Sequence, residues 1–129
     1  MLDASAAFDY LLEGGPSGEW ARRLVEKETE LAAPHVIDLE LASALRRRVD
    51  RGEVSVPRAN AAFADFADLA LVRYPATEFL TRIWALRSTL TPYDAAYVVL
   101  SEALDAKLIT TDARLARSHG HRAEIISPA

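Results

Sequence analysis

The chain contains, at residues 91–118, the stretch TPYDAAYVVLSEALDAKLITTDARLARS. Thr91-Pro92 begins a predicted helix that runs to Asp105, because Thr is a good N-cap and Pro is favoured in the first turn. A short predicted strand follows at 107–110, and a second helix at 113–118. Helices alternating with a short apolar strand indicate a parallel sheet that is covered by helices.

The same alternation extends outward from this stretch. Further strands are predicted to end at Asp3 and at residues 33, 74 and 126, and the intervening helices at 4–12, 18–28, 36–51, 55–69 and 77–87. The pattern predicts an α/β fold, namely a three-layer α/β/α domain whose short parallel sheet is flanked by helices. With 129 residues the chain has room for one domain, at 1–129.

Composition excludes several classes of protein. The chain has no cysteine, which argues against a disulfide scaffold, a thiol nucleophile and an iron–sulfur site. No apolar segment approaches the roughly 20 residues of a membrane span, and no signal peptide follows Met1, so a cytoplasmic protein that makes no membrane contact is expected. The net charge of −4 argues against a nucleic-acid binder that relies on bulk basic charge.

Three aspartates stand at the ends of predicted elements. Asp3 and Asp112 each follow a strand and precede a helix, and Asp94 lies three residues after Thr91. Each alone is explained by helix capping or by the helix dipole. Together they differ, because the carboxyl ends of parallel strands share one edge of the sheet, and clustered carboxylates repel unless a cation lies among them. Oxygen ligands without His or Cys favour Mg²⁺ or Mn²⁺ over zinc.

A fourth acid, Glu40, is less clear from first principles. On a helical wheel it lies beside Val36, Ala44 and Arg47, at the border of the apolar arc. Its neighbour four residues on is Ala44, so a simple surface ion pair is not available there. Periodicity alone does not distinguish Glu40 from Asp38.

Four segments, in order, resemble the conserved blocks of PIN domains. The segment MLDAS (1–5) is similar to the family's strand-end "DAS", and PHVIDLELASALRR (34–47) to its second acid-bearing helix. The segment LTPYDAAYVVLSEAL (90–104) resembles the "YDAAY" helix, and LITTDARL (108–115) the "T-x-D-x-x-L" turn. The resemblance spans nearly the whole chain. Its nearest subgroup is that of the VapC toxins of toxin–antitoxin pairs.

The resemblance implies a set of site residues. The family's acid quartet falls on Asp3, Glu40, Asp94 and Asp112, as metal-holding and catalytic residues with Mg²⁺ or Mn²⁺ as the cofactor. Its polar helpers fall on Ser5 and Thr110, with Thr111 beside the latter. Only Met1 and Leu2 precede the first acid, so the first strand is predicted to be very short.

The implied function is that of a metal-dependent endoribonuclease toxin. Its partners would be an RNA substrate, a VapB-type antitoxin and a second copy of the chain. Arg87 and Arg114, which lie near the acids in sequence, are the preferred candidates for RNA phosphate contacts. The run Arg46-Arg47-Arg48 is instead interpreted first as a solvated helix face.

Other functions remain to be weighed. A receiver-like phosphorylation domain would need an acid pair after the first strand and a lysine after the last strand, and a haloacid-dehalogenase-like phosphatase would need Asp-x-Asp; Asp3-Ala4-Ser5 provides neither acid motif. A PIN-fold module that binds a partner without catalysis stays open, as does a housekeeping RNA-processing nuclease.

Overall fold

The computed structural model describes residues 1–128, so Ala129, the last residue of the predicted domain, lies outside the described part. The elements follow one another along the chain as α1 (Ala4–Leu12), α2 (Pro16–Lys27), β1 (Leu31–Pro34), α3 (Val36–Asp50), α4 (Val56–Ala67), β2 (Leu71–Tyr74), a 3₁₀ turn (Thr77–Phe79), α5 (Leu80–Ala85), α6 (Pro92–Leu104), β3 (Leu108–Ile109), α7 (Ala113–Ala116) and β4 (Ile125–Ile126).

The N-terminal segment joins two short parallel strand pairs into one sheet. The strand β1 pairs with β2, and β3 pairs with β4. Between the pairs, the Leu2 amide donates to the Ala32 carbonyl at 2.9 Å, and the Asp3 amide donates to the Ile109 carbonyl at 3.1 Å. The order across the sheet is therefore β2, β1, the segment 1–3, β3 and β4, with the first segment at its centre. As expected, that central segment is very short, since only Leu2 forms a ladder bridge.

Helices cover this sheet and enclose the core. Helix α1 contacts α2, α3 and α4, while α6 contacts β1, β3 and α5. Leu2, Ile37, Leu41, Leu100 and Leu108 are fully buried between these elements. The predicted α/β fold, a short parallel sheet flanked by helices, is confirmed.

The approach of α2 to α1 requires a glycine. A Cβ atom at Gly18 would lie 1.9 Å from the carbonyl oxygen of Glu13 at the end of α1. No side chain fits there without moving backbone, so Gly18 fixes how closely the two helices pack.

The sequence-based boundaries differ from the structure mainly in two places. The helix predicted over 77–87 is a 3₁₀ turn followed by the short α5, and Arg87 lies beyond its end. The strand β1 includes Pro34, which was predicted to end it, because the strand position of Pro34 needs no donated amide bond to a neighbour. Within residues 1–128, no helix is both long and apolar enough to cross a bilayer.

Candidate active site

A cavity of about 430 Å³ lies at the carboxyl end of the central sheet segments. Its walls carry a cluster of carboxylates and a cluster of arginines. The carboxylates come from four different elements or their caps, and the cations come mainly from the second half of α3. The acids on this cavity are Asp3, Asp9, Glu40, Asp94 and Asp112, and the cations are Arg47, Arg48, Arg51 and Arg114. The structure thus brings together all four acids that the sequence singled out.

Asp3 is the most deeply buried of these acids, at 4% exposure. Its carboxylate caps α1 by accepting a hydrogen bond from the Ala6 amide at 2.9 Å. It also accepts hydrogen bonds from Ser5 Oγ at 2.7 Å and from Thr110 Oγ1 at 2.5 Å. Burial raises the pKa of Asp3 to about 6, although these hydrogen bonds oppose the rise and the charge of Asp112 adds to it. No Lys or Arg lies within ion-pair distance of it in the part of the chain described.

The helper residues hold this corner together. Ser5 Oγ lies 3.2 Å from Thr110 Oγ1 and accepts the Thr111 amide at 3.1 Å, and Thr110 Oγ1 accepts the Asp112 amide at 3.0 Å. Ser5 and Thr110 therefore position the Asp3 carboxylate directly. The backbone of Thr111 contributes to the same network, whereas its side chain is not used there.

Asp94 and Asp112 share a cation. Arg114 Nη2 lies 3.0 Å from Asp94 Oδ2 and 3.4 Å from Asp112 Oδ2, and the Arg114 side chain is 69% exposed. Burial raises the pKa of Asp94, Arg114 opposes the rise, and Asp112 adds to it. Asp112 also caps α7 by accepting the amides of Arg114 and Leu115. Asp3 and Asp112 thus do cap helices, but both caps also face the shared cavity.

Glu40 points into the cavity, and its neighbour Asp38 does not. Tyr97, itself buried on α6, donates its hydroxyl to Glu40 Oε1 at 2.7 Å. Burial raises the pKa of Glu40, the Tyr97 hydroxyl opposes the rise, and the charge of Asp94 adds to it. Asp38 instead forms a bidentate ion pair with Arg73, which joins α3 to β2. The structure therefore separates two acids that periodicity left equivalent.

The donor set fits a hard divalent cation. All the acids on this wall offer carboxylate oxygens, which suit Mg²⁺ or Mn²⁺, and the buried Asp3 carboxylate has no cation of its own. Within residues 1–128, no three Asp, Glu, His or Cys side chains already stand in an arrangement that could hold a metal ion. Arg114, an exposed cation between Asp94 and Asp112, is the group that would have to move for an ion to bind there.

Of the two arginines that were expected to contact RNA phosphates, Arg114 lines the acid cavity. Arg87 does not line the acid cavity; its guanidinium lies 4.9 Å from the Trp84 ring and donates to the Trp84 carbonyl. The role of Arg87 as an RNA phosphate contact therefore stays a prediction, for a position outside the acid cavity. Arg47, Arg48 and Arg51 line the cavity instead. The helical wheel of α3, which places Arg47 beside Glu40, already indicated that Arg47 lies near the acids.

Two further contributions were missed from sequence. The hydroxyl of Tyr97 donates a hydrogen bond to Glu40, a role that the sequence did not indicate. Asp9 also lines the cavity, where its carboxylate accepts a hydrogen bond from Ser17 of α2. Asp9 lies six residues after Asp3 on α1, and nothing in its spacing marks it out from an exposed helix position.

Comparison with known proteins identifies the family. A sequence model of the PIN domain family matches residues 1–119. The chain belongs to the PIN domain family. This PIN domain is 42% identical to Ribonuclease VapC12 of Mycobacterium tuberculosis over 97% of the chain and 95% of the relative. It is also 42% identical to Ribonuclease VapC9 of the same species over 89% of the chain and 87% of the relative.

A solved structure supports the fold independently of close sequence similarity. The crystal structure of PAE2754 from Pyrobaculum aerophilum matches the PIN domain with a TM-score of 0.71. The match covers 96% of this chain and 80% of that chain at 22% identity. The family and the fold that the four sequence blocks implied are thus confirmed.

Proposed function

We propose that this PIN domain is an endoribonuclease that acts as the toxin of a toxin–antitoxin pair. The observation that carries the proposal is the convergence of Asp3, Glu40, Asp94 and Asp112 on one cavity. A PIN-fold module that only binds a partner would have no need to keep four carboxylates together at an energetic cost. The names of the VapC relatives support RNA as the substrate.

We infer that Asp3, Asp94 and Asp112 hold Mg²⁺ or Mn²⁺, with Glu40 completing the site. When bound, the ion would lower the pKa of a water molecule and offset charge on the phosphate. Ser5 and Thr110 keep the Asp3 carboxylate fixed in its buried position. The Tyr97 hydroxyl donates a hydrogen bond to Glu40 Oε1. Oε2 of Glu40 then orients the attacking water and accepts its proton. The water oxygen bonds to phosphorus as the bond to the 3′ oxygen breaks, and the departing 3′ oxygen takes a proton from solvent, leaving a 5′-phosphate and a 3′-hydroxyl.

Arg114 has two roles in this scheme. Before substrate binds, it offsets the charge of Asp94 and Asp112. Because its side chain is mostly exposed and lies at the cavity mouth, it can turn from the carboxylates to a phosphate of the RNA. Exchange of one anionic partner for another keeps the guanidinium paired throughout.

The proposed partners follow from the charge of the cavity. A VapB-type antitoxin would inhibit by placing an Arg or Lys among the carboxylates, where a cation forms charge-assisted hydrogen bonds. We also propose that the chain forms a homodimer and acts in the cytoplasm, where its RNA substrates are.

Expression of the chain alone in a bacterial host tests this function. The wild-type chain should arrest growth, Asp94→Ala should relieve the arrest, and co-expression of the small protein encoded beside it should relieve it too. Asp65→Ala, at an exposed position on α4 outside the cavity, is the charge-matched control and should arrest growth like wild type.

Purified protein provides the second part of the test. RNA should be cut in the presence of Mn²⁺ and left intact with a chelator. Soluble wild-type protein that neither arrests growth nor cuts RNA with Mn²⁺ would overturn the proposal in favour of a non-catalytic binding module.

A further inference from the structure

The acid cavity continues into an arginine wall that the proposed chemistry does not use. Arg47 and Arg51 both line the cavity, and they lie one helical turn apart on α3. Arg47 Nη1 donates to Ser43 Oγ at 3.0 Å. Within residues 1–128, neither guanidinium has a carboxylate within ion-pair distance. Two like charges at this spacing repel each other slightly, and neither is compensated by a carboxylate.

The neighbouring arginines on the same helix are engaged elsewhere. Arg48 lies 3.4 Å from Glu13 and 3.2 Å from Glu53, and its guanidinium stacks 4.8 Å from the centre of the Phe8 ring. Arg46 faces away from the cavity, is 84% exposed and lies 3.9 Å from Asp50. Arg48 is therefore part of the packing and Arg46 part of the solvated surface. This leaves Arg47 and Arg51 as cations on the cavity wall that are available to a ligand.

The helix geometry sets their distance from the reaction. With a rise of 1.5 Å per residue, Arg47 lies about 10 Å and Arg51 about 16 Å from Glu40 along the axis of α3. This offset places the two arginines further along the cavity wall than Glu40. It is a suitable distance for contacts with phosphates elsewhere on the same strand, which the guanidinium forks can bind through paired hydrogen bonds.

We propose that Arg47 and Arg51 form a phosphate subsite that binds the RNA backbone beside the cleaved bond. This inference rests on the proposed function, because it takes RNA as the ligand of the cavity. The subsite also answers the objection raised by the net negative charge: binding depends on the local charge along the groove rather than on the total charge of the chain. The two arginines are positioning residues that hold the strand and take no part in bond breaking.

Salt-dependent RNA binding is the test, measured in the presence of a chelator so that no cleavage occurs. The probe is a short, fluorescently labelled, single-stranded RNA of random sequence, titrated with wild type, Arg47→Ala, Arg51→Ala, the double variant and Arg46→Ala. Each lost phosphate contact should reduce the slope of log affinity against log salt by about 0.7, and the double variant should lose about twice that. Arg46→Ala removes the same charge from the same helix outside the cavity, and should keep the wild-type slope.

A kinetic measurement with Mn²⁺ separates positioning from chemistry. The variants should raise KM and leave kcat at saturating RNA unchanged, with melting temperatures equal to that of Arg46→Ala. Slopes that match Arg46→Ala, or a loss confined to kcat, would overturn the subsite while leaving the nuclease proposal intact. Wild-type protein that binds RNA with the expected slopes but never cuts it would overturn the nuclease and leave the subsite standing. Wild-type protein that neither binds RNA in this assay nor cuts it with Mn²⁺ would overturn both.

Discussion

The carboxylates of Asp3 and Glu102 are both almost fully buried, but only that of Glu102 is paired with cations. The Glu102 side chain, on α6, is 4% exposed and is held by Arg82 Nη2 at 3.0 Å and by the Arg122 amide at 2.8 Å. Burial by itself would raise the pKa of Glu102, but the hydrogen bonds and charges of Arg82 and Arg122 outweigh it and lower the pKa. Asp3, at 4% exposure, receives only neutral donors, and burial raises its pKa to about 6.

The difference distinguishes a structural acid from a functional one. A buried carboxylate whose charge is already compensated within the protein, like Glu102, joins α5, α6 and the C-terminal loop. A buried carboxylate without a cation costs free energy, and it persists where an incoming cation restores the balance. The comparison therefore predicts that substitutions at the two positions affect different properties of the protein.

The largest expected effect is on RNA cleavage. Asp3→Asn removes a charge that an ion would require, so cleavage should fall to less than about one-hundredth of wild type, at least the loss seen when groups that support a metal site are removed. Glu102→Gln makes the same isosteric change at the other buried acid and should cut RNA at the wild-type rate. Measurement of initial cleavage rates with Mn²⁺ checks both. Equal losses in the two variants would remove the distinction between the acids.

The substitution that abolishes cleavage, Asp3→Asn, should increase the stability of the fold. The pKa of Asp3 is about 6 when folded against 3.8 ordinarily. The ionised group therefore destabilises the metal-free fold at pH 7, by about 3 kcal/mol at most, given 1.36 kcal/mol per pKa unit. Asp3→Asn should raise the free energy of unfolding by about 1–3 kcal/mol at pH 7, since part of the gain is lost with the Thr110 hydrogen bond. Glu102→Gln should lower it by about 2 kcal/mol, because a charge-assisted hydrogen bond is weakened.

The pH dependence of these two effects has a definite sign. Between pH 3.8 and about 6 the folded protein binds more protons at Asp3 than the unfolded chain, so the wild-type protein loses stability as the pH rises through this window. The gain from Asp3→Asn should therefore shrink between pH 7 and pH 4. The stability that Glu102 contributes is present at neutral pH and is lost as the pH falls below its ordinary value of 4.5. Urea denaturation from pH 7 down to pH 3 tests both signs, and parallel curves for the two variants would contradict them.

A smaller effect is expected at Tyr97, which supports Glu40 without a charge. Tyr97→Phe keeps the buried ring and deletes the hydroxyl that donates to Glu40 Oε1. Loss of such a supporting contact should reduce cleavage by roughly tenfold and raise the Mn²⁺ concentration that gives half-maximal activity. Tyr10→Phe, at a half-buried position outside the cavity, is the control and should leave both unchanged. An unaltered Mn²⁺ requirement in Tyr97→Phe would show that the hydroxyl only fills space.

Sequence reasoning could predict those parts of the molecule that depend on local signals. The strand-then-Asp pattern at Asp3 and Asp112 located the sheet edge, because parallel strands bring their carboxyl ends together whatever the packing between them. The caps of α1 and α6 followed from Asp3 and Thr91. These elements needed only residue type and spacing.

The direction in which a side chain points could not be predicted from the sequence, because it depends on the tertiary fold. Asp38 and Glu40 are two residues apart on α3, and only the position of Arg73 on β2 shows that Asp38 is paired away from the cavity. Arg87 is near Asp94 in sequence, yet the end of α5 turns it onto Trp84. Proximity along the chain therefore placed Arg114 on the cavity but not Arg87. The contacts that decide these cases come from elements distant in sequence.

A calorimetric titration of the purified protein with Mn²⁺ at pH 6 tests the central claim that the four acids form a cation site. Wild type should bind Mn²⁺ and release about half a proton on binding, because Asp3, whose pKa is about 6, is about half protonated at this pH and an ion displaces that proton; Glu102→Gln should behave identically. Asp3→Asn should bind weakly and release no such proton. Absence of Mn²⁺ binding by wild type, or equal binding by Asp3→Asn, would contradict the account.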